Sequence, residues 1–413
     1  MENKAYKVRI YPNMKQTEII EKTFGCTRFL YNQMLAERIA VYEKLKDDKE
    51  LLYAYKYKTE KEYKLDYEFL KEVPSRALQQ ARNDLDRAYK NFFNGIKKKK
   101  NVGYPKFKSK KKTKLSYRDP QVNGQIRIEN NKLNMPKLGF LKVKGLPKEI
   151  NGQIKSVTVS KSKSGKYFAS ILTECMLKER KRKSDNVIGI DLGLKEFAIC
   201  SNGDIFSDIK KYNFIYDKKI RKMQKYLSRK TKGSVRYEKQ RVKLNRVYEK
   251  RNDVLNNYFW NLVNKLCCEN QAVAVENLNI HGMKKNRKLS HAIQMVNWGS
   301  FLNKLNQKAK EYGTEIYLID RWFPSSKMCS ICGNLKDDLK LSDRVYICDC
   351  GLNIDRDVNA AINIRNYYLK NKSLEYNDYK RGEVVRPVRL NFDNNGNFVE
   401  ALSKEVEDSN IFL

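Results

Sequence analysis

Histidine is nearly missing from this chain: only His281 and His291 occur among 413 residues. Nucleases that work through a histidine base, and hydrolases that hold zinc through histidines, are therefore not expected. No GxxxxGK[ST] loop is present, which argues against ATP-driven chemistry. No run approaches the roughly 20 apolar residues of a spanning helix, and "MENKAYKVRIYPNMK" lacks the apolar core of a signal peptide. A cytoplasmic protein without a membrane partner is the expectation. Acid is scarce as well: 48 Asp+Glu face 85 Lys+Arg, a formal charge of +37 with pI near 9.7. A surplus of that size attracts a polyanion, most commonly a phosphate backbone.

Hydrophobic residues make up 41% of the chain, enough for cores in about two to four domains. "KAYKVRIYP" alternates as a short strand and stops at Pro12. From Lys15 to about Lys46 the apolar spacing is helical, with Gly25 as a break between two helices. "SRALQQARNDLDRAYKNFF" begins a further helix with Ser75 at its N-cap. Between Lys97 and Lys114 stand ten lysines and no acid, with Tyr104 and Phe107 interleaved. That run suits either a solvated loop or contact with a nucleic-acid backbone plus base stacking. From about 120 to 178, short alternating stretches predict antiparallel strands that form a barrel with the N-terminal strand. After the basic linker "KERKRKSDN" the pattern becomes α/β: the buried strands "NVIGID", "QAVAVE" and "TEIYLID", two long basic helices parted near Gly233, and a helix closed by Gly313.

The cysteines divide into two groups. Cys26, Cys175, Cys200, Cys267 and Cys268 are scattered and read as small buried hydrophobes. Cys329 and Cys332 form C-x-x-C; Cys348 and Cys350 form C-x-C after fifteen intervening residues. Two thiolate pairs at that separation can close one tetrahedral structural Zn2+ site, with Gly333 and Gly351 permitting the knuckle turns. A closed four-sulfur site leaves no open position, so catalysis must lie elsewhere. Three carboxylates stand out. Asp191 ends "VIGI", Glu276 ends "AVAV", and Asp357 opens the apolar helix pattern "DVNAAINI". Each alone could be a cap or turn residue. Together, two strand ends and a helix can bring three carboxylates around two Mg2+ ions, the arrangement that cleaves phosphodiesters.

The segments "YKVRIYPNMKQTEIIEKTFGCTRFLYN", "PSRALQQARNDLDRAYKNFF", "GIDLGLKEFAI", "AVENLNI", "RWFPSSKMCSICG" and "CDCGLNIDRDVNAAINI", in this order, resemble the TnpB family over roughly residues 4 to 365. TnpB proteins are transposon-encoded, RNA-guided DNA endonucleases related to compact type V CRISPR effectors. The resemblance implies a multidomain α+β fold. A β-barrel wedge domain (1–12 and 118–180) would be interrupted by a helical recognition domain (13–117). An RNase H-like RuvC nuclease domain (186–322 and 353–368) would carry an inserted zinc ribbon that binds target nucleic acid (323–352). The tail at 369–413 matches no motif. Asp191, Glu276 and Asp357 fall on the family's three catalytic acids, the family pattern D-x-N-A-A selecting Asp357 over Asp355. Arg344 matches an arginine that the family places near the cleaved strand. The second pair is C-x-C where the family commonly has C-x-x-C.

The implied partners are one guide RNA and single- and double-stranded target DNA, bound by a monomer or dimer. The helices from Lys218 to Lys250, and Lys97, Lys98, Lys99, Lys100, Tyr104, Lys106, Phe107 and Lys108, are candidates for the nucleic-acid channel. Ser75, Arg76, Gln79 and Gln80 are candidates for reading a short flanking motif, because Arg and Gln offer bidentate base-edge contacts; an ordinary exposed helix surface fits Gln79 and Gln80 equally. Three other readings share parts of this pattern. A compact type V effector has the same chemistry. A non-cleaving RNA-guided repressor should have lost an acid, and all three are present. A DDE-type transposase has an RNase H-like core but neither the N-terminal wedge nor the ribbon.

Overall fold

The computed structural model describes residues 2–147, 150, 152–176, 180–287, 289–340, 342–381, 391–392 and 398–399, with side chains up to 372 except at 281. Most of the tail at 369–413, whose role the sequence leaves open, lies outside the described residues. Two compact units emerge, Met1–Leu177 and Lys178–Leu413. No described helix is long and apolar enough to cross a membrane.

The N-terminal unit opens on β1 (Glu2–Tyr11) and α1 (Met14–Leu45). Asn13 and Gln16 close a reciprocal capping box at the start of α1. The break expected at Gly25 does not occur, and α1 runs unbroken through it. An interior glycine costs a helix only about 1 kcal/mol, and burial of Phe24, Cys26 and Thr27 on either side outweighs that. Short helices α2 (Lys49–Ala54) and α3 (Glu60–Asp66) and a 3-10 turn (Glu68–Glu72) lead to α4 (Ser75–Lys97). Ser75 is not the cap of α4 but its first residue; Pro74 holds the cap position, and the Ser75 hydroxyl accepts from Lys64 Nζ at 2.7 Å. Leu78 and Leu85 pack with Leu30, Met34 and Leu35 of α1.

Strands β2 (Ser116–Pro120), β3 (Arg127–Glu129), β4 (Lys132–Met135), β5 (Gly139–Lys144), β6 (Gln153–Lys161) and β7 (Tyr167–Cys175) join β1 in one antiparallel sheet. Its order is β2-β6-β7-β1-β5-β4-β3. Tyr117 of one edge, Ile126 beside the other and Val8, Leu141 and Val159 between them share one core, so the sheet curls around it. The expected barrel is not closed by backbone pairing: no described ladder joins β2 to β3. The Gln121 side chain instead holds the connection between them, donating to Ile126 O at 2.6 Å and accepting its N–H at 2.8 Å.

The C-terminal unit contains β8 (Asn186–Asp191), β9 (Ala198–Cys200), β10 (Ile205–Phe206), α5 (Asp208–Ser228), α6 (Val235–Glu269) and β11 (Asn270–Glu276). After these come α7 (Ile280–Met283), α8 (Ser290–Val296), α9 (Trp298–Tyr312), β12 (Glu315–Ile319), β13 (Val345–Ile347), β14 (Asn353–Asp355) and α10 (Arg356–Arg381). A last antiparallel pair is β15 (Asn391–Phe392) with β16 (Phe398–Val399). The main sheet has the order β10-β9-β8-β11-β12; β8, β11 and β12 are parallel, and β9 and β10 antiparallel.

Alternation along β8 and β11 gives the sheet two unlike faces. Ile188, Ile190, Val273 and Val275 point into a large core with α6 and α9. Ala272 and Ala274 point the other way, against Ile364 and Tyr368 of α10. Gly189 pairs with Ala274 on that second face. A Cβ on Gly189 would lie 2.1 Å from Ala361 O and 2.5 Å from Arg365 N. The small residues therefore let α10 sit directly on β8.

Candidate active site and metal centre

The same alternation carries the two strand-end acids onto the α10 face. Asp191 lies two residues beyond Gly189, and Glu276 two beyond Ala274. Along the strand that is about 6.6 Å. On α10, Asp357 lies four residues before Ala361, about 6 Å along the helix axis. The contact at Gly189 and Ala361 thus brings the Asp191 and Asp357 side chains to the same level. Asp191 is half-buried. Burial first, and then the charges of Glu276 and Asp357, push its carboxyl up to about 8. Asp191 thus feels both other carboxylates, and three oxygen donors of this kind are a donor set that fits a hard divalent cation such as Mg2+.

Of the two neighbouring aspartates, Asp355 caps α10. Its Oδ1 accepts the N–H groups of Asp357 at 2.9 Å and Val358 at 3.1 Å. That leaves the Asp357 carboxylate in the first turn, at the positive end of the helix dipole. Arg344 Nη1 stands 3.8 Å from Asp357 Oδ2, both partly exposed, and Arg344 O accepts the Arg356 N–H at 2.8 Å. Removing the cap with Asp355→Ala is expected to cost about 1 kcal/mol. It should also lower Tm by about 2–4 °C in thermal unfolding.

The four cysteines Cys329, Cys332, Cys348 and Cys350 converge, with all four sulfurs within 4.8 Å of one another. Cys329 Sγ is 3.6 Å from Cys350 Sγ, and Cys332 Sγ is 3.5 Å from Cys348 Sγ. A tetrahedral Zn–S4 centre with 2.3 Å bonds has sulfur separations of about 3.8 Å, so the C-x-C pair reaches as well as C-x-x-C would. Gly333 and Gly351 take φ of 76° and 93° at the knuckle turns. Although burial opposes it, the Ile331 and Cys332 N–H groups aim at Cys329 and lower its thiol to about 7, favouring the thiolate a metal needs. Among the other cysteines, Cys26, Cys175, Cys200 and Cys267 are buried and Cys268 half-buried.

The remaining candidates lie in the N-terminal unit. Lys97, Lys98, Lys99, Lys100, Lys106 and Phe107 are exposed. Tyr104 is engaged within the unit, its hydroxyl 2.6 Å from that of Tyr89 and its ring against Phe92. Lys108 is also engaged: its ammonium lies 3.7 Å from the Tyr31 ring centre, its backbone is held on both sides by Asn32, and burial lowers its pKa. Ser75 is exposed, Arg76, Gln79 and Gln80 half-buried. Gln80 lines a cavity of about 180 Å³ together with Arg28, Asp84, Lys108, Lys114 and Arg118.

Sequence reasoning left Asp355 without a role and overlooked Ser325, Asn359 and Asn363. An aspartate just before a helical apolar pattern is a cap signal, and two asparagines four apart in an apolar helix point to one buried, hydrogen-bonded face. Ser325 has no local signal, since its partner is Glu276.

Comparison with known proteins places this architecture. A protein of Streptomyces pristinaespiralis, provisionally named an RNA-guided DNA endonuclease, is 34% identical over 87% of this chain and 88% of its own length. The chain belongs to the TnpB family. InsQ of Escherichia coli K12, named in the same way, is 27% identical over 87% of this chain and 91% of its own. Residues 157–287 match the family OrfB_IS605, described as "Probable transposase", and residues 298–364 match the "Cas12f1-like, TNB domain". Residues 1–47 match the helix-turn-helix domain of the OrfB_IS605 group, although here they fold as a strand and a single helix. Among solved structures, a Cas12f1–sgRNA–target DNA complex has the same mixed α/β multidomain fold, with a TM-score of 0.53 at 14% identity over 88% of this chain and 99% of that one. This TnpB-family chain thus couples a curled sheet to an α/β unit that carries three acids and a four-cysteine cluster.

Proposed function

We propose that the chain is an RNA-guided DNA endonuclease that hydrolyses target DNA at Asp191, Glu276 and Asp357. The observation that supports this reading most is the shared face: Asp191 and Glu276 end two parallel strands on the side against which α10 packs, and Asp191 feels the charges of Glu276 and Asp357. The order β10-β9-β8-β11-β12, with its parallel centre and antiparallel edge, supports an RNase H-like RuvC domain at 186–322 and 353–368. The ribbon at 323–352 holds structural Zn2+ on Cys329, Cys332, Cys348 and Cys350. Bound at the acids, two Mg2+ ions would supply an activated water and neutralise the phosphodiester oxygens. Asp191 and Glu276 hold their side of the site from rigid strand ends, and Asp357 closes it from α10. Arg344, beside Asp357, would meet a phosphate of the cut strand.

The excess of 37 positive charges supports a nucleic-acid partner along most of the chain. Base pairing of a guide RNA would select the target. The wedge (1–12 and 118–180) and recognition (13–117) segments hold the duplex and read a flanking motif through Ser75, Arg76, Gln79 and Gln80. Lys97 to Lys100, Lys106 and Phe107 remain open for backbone contact and stacking. A type V effector would use the same site, with its guide encoded elsewhere.

The test is to sequence the RNA that copurifies with the protein, replace its variable end, and assay linear DNA in Mg2+. Cleavage should move to the new complementary target and stop in EDTA. Cleavage that ignores the guide, or no bound RNA at all, would overturn the reading.

A further inference from the structure

Ser325, in the segment between β12 and the first cysteine pair, is 5% exposed and held from three sides. Its hydroxyl donates to Glu276 Oε1 at 2.6 Å. Its carbonyl accepts from Asn363 Nδ2 at 2.8 Å, and its N–H donates to Phe323 O at 2.8 Å. The Asn363 amide also donates to Met328 O at 2.6 Å, where Asn359 Nδ2 arrives at 2.7 Å; Asn359 Oδ1 accepts the Ser330 N–H at 3.1 Å. Asn359 and Asn363 are fully buried. Buried amides are tolerated only when satisfied, so this part of the loop has one docked position on α10. A continuous path of hydrogen bonds therefore runs from Ser330 through Asn359, Met328, Asn363 and Ser325 to Glu276, and Cys329 lies inside the loop so clamped.

A glutamate at a strand end has three side-chain torsions and no fixed direction of its own. A buried hydroxyl bonded to Oε1 selects one rotamer and leaves Oε2 free to turn toward the site. Groups that orient a metal-binding carboxylate in this way change metal affinity or activity by about 10–100-fold when removed.

We infer that Ser325 is a positioning residue, which presents Glu276 to the divalent cation and is itself placed by Asn363 of α10. The inference rests on the nuclease reading above. A merely structural serine would affect stability without selectively changing cation binding at the acids.

The experiment uses the full chain with its copurified RNA and Mn2+ as probe. Free Mn2+ is read by electron paramagnetic resonance, and ions retained by an Asp191→Ala complex are subtracted. Ser325→Ala should raise the half-saturating Mn2+ about tenfold and slow guided cleavage at low metal, with zinc content and Tm close to wild type. Ser325→Thr, which keeps the donor, should restore binding to near wild type. In a Glu276→Gln background, Ser325→Ala should add no further loss, because a residue that acts through Glu276 has nothing left to orient. Wild-type Mn2+ binding in Ser325→Ala, or an equal loss in the Glu276→Gln background, overturns the inference. If Ser325→Ala does not fold, Ser325→Thr decides: near-wild-type Mn2+ binding supports the role, and lost binding with zinc intact refutes it. If the wild-type complex neither holds Mn2+ at the acids nor cuts guided DNA, the nuclease reading falls and takes the inference with it. A wild type that cuts beside an unaffected Ser325→Ala removes the positioning role alone.

Discussion

Asp191→Asn is expected to be inactive and, without metal, more stable than the wild-type chain at pH 8. Both effects have one cause. Burial and the charges of Glu276 and Asp357 raise the Asp191 carboxyl to about 8, far above the ordinary aspartate value near 3.9. Between those two pH values the folded chain binds more protons than the unfolded chain, so stability falls as pH rises through the window and levels off above it. Asparagine cannot ionise and escapes that fall. The advantage of the variant should be absent near pH 4 and largest from pH 8 upward. The cost of ionising this group is at most about 6 kcal/mol, and water reaching the half-buried side chain brings the expected gain to about 1–3 kcal/mol. Mg2+ reverses the order, because it stabilises only the chain that can bind it. Wild type should gain Tm in millimolar Mg2+ while Asp191→Asn does not. Since binding releases the Asp191 proton, the half-saturating Mg2+ should fall between pH 6 and pH 8. Losing a metal contact worth several kcal/mol in the transition state should slow guided cleavage at least about 10³-fold. Thermal unfolding across pH, with and without Mg2+, together with a plasmid-cleavage time course, checks each part. A variant that cuts at the wild-type rate would remove Asp191 from the chemistry.

The sequence carried these features unevenly. The apolar runs before Asp191 and Glu276 are strand signals that depend only on neighbours, and period-two alternation is enough to put both acids on one face. The cysteine spacing is local in the same sense. Gly25 misled because propensity is a weak force: a glycine inside a helix whose flanking residues are buried does not end it. Asp355 and Asp357 look alike in "DRD", and only the start of α10 decides that one caps the helix while the other faces the acids. Lys108 looked like its neighbours in a basic run, yet it folds back on Tyr31. Ser325 was invisible because its hydrogen bond spans 49 residues. What escaped the sequence is what depends on two distant segments meeting.

Gly189→Ala tests the most consequential of those meetings. The added Cβ would stand 2.1 Å from Ala361 O and 2.5 Å from Arg365 N, both backbone atoms of α10, so no change of rotamer can make room. The helix must lift, and with it the contacts of Ile364 and Tyr368 on Ala272 and Ala274. Overpacking of this kind costs about 1–3 kcal/mol and more when a whole element moves, and 1–3 kcal/mol corresponds to a Tm loss of roughly 2–12 °C in a unit of this size. The effect on cleavage should be larger than stability alone implies. Asp357 rides on the same helix, one turn before Ala361, and a displacement of about 1 Å in a catalytic group can cost about 10²-fold. Gly299→Ala is the control: it lies in α9 with open space where a Cβ would go, and the better helix former should leave stability unchanged or raised by up to about 1 kcal/mol. Cleavage per folded molecule, measured well below both melting temperatures, separates the two effects. If Gly189→Ala cut as fast as Gly299→Ala at that temperature, the acids would not depend on the close approach of α10 to β8; a selective loss means that a residue with no side chain sets the distance between two carboxylates.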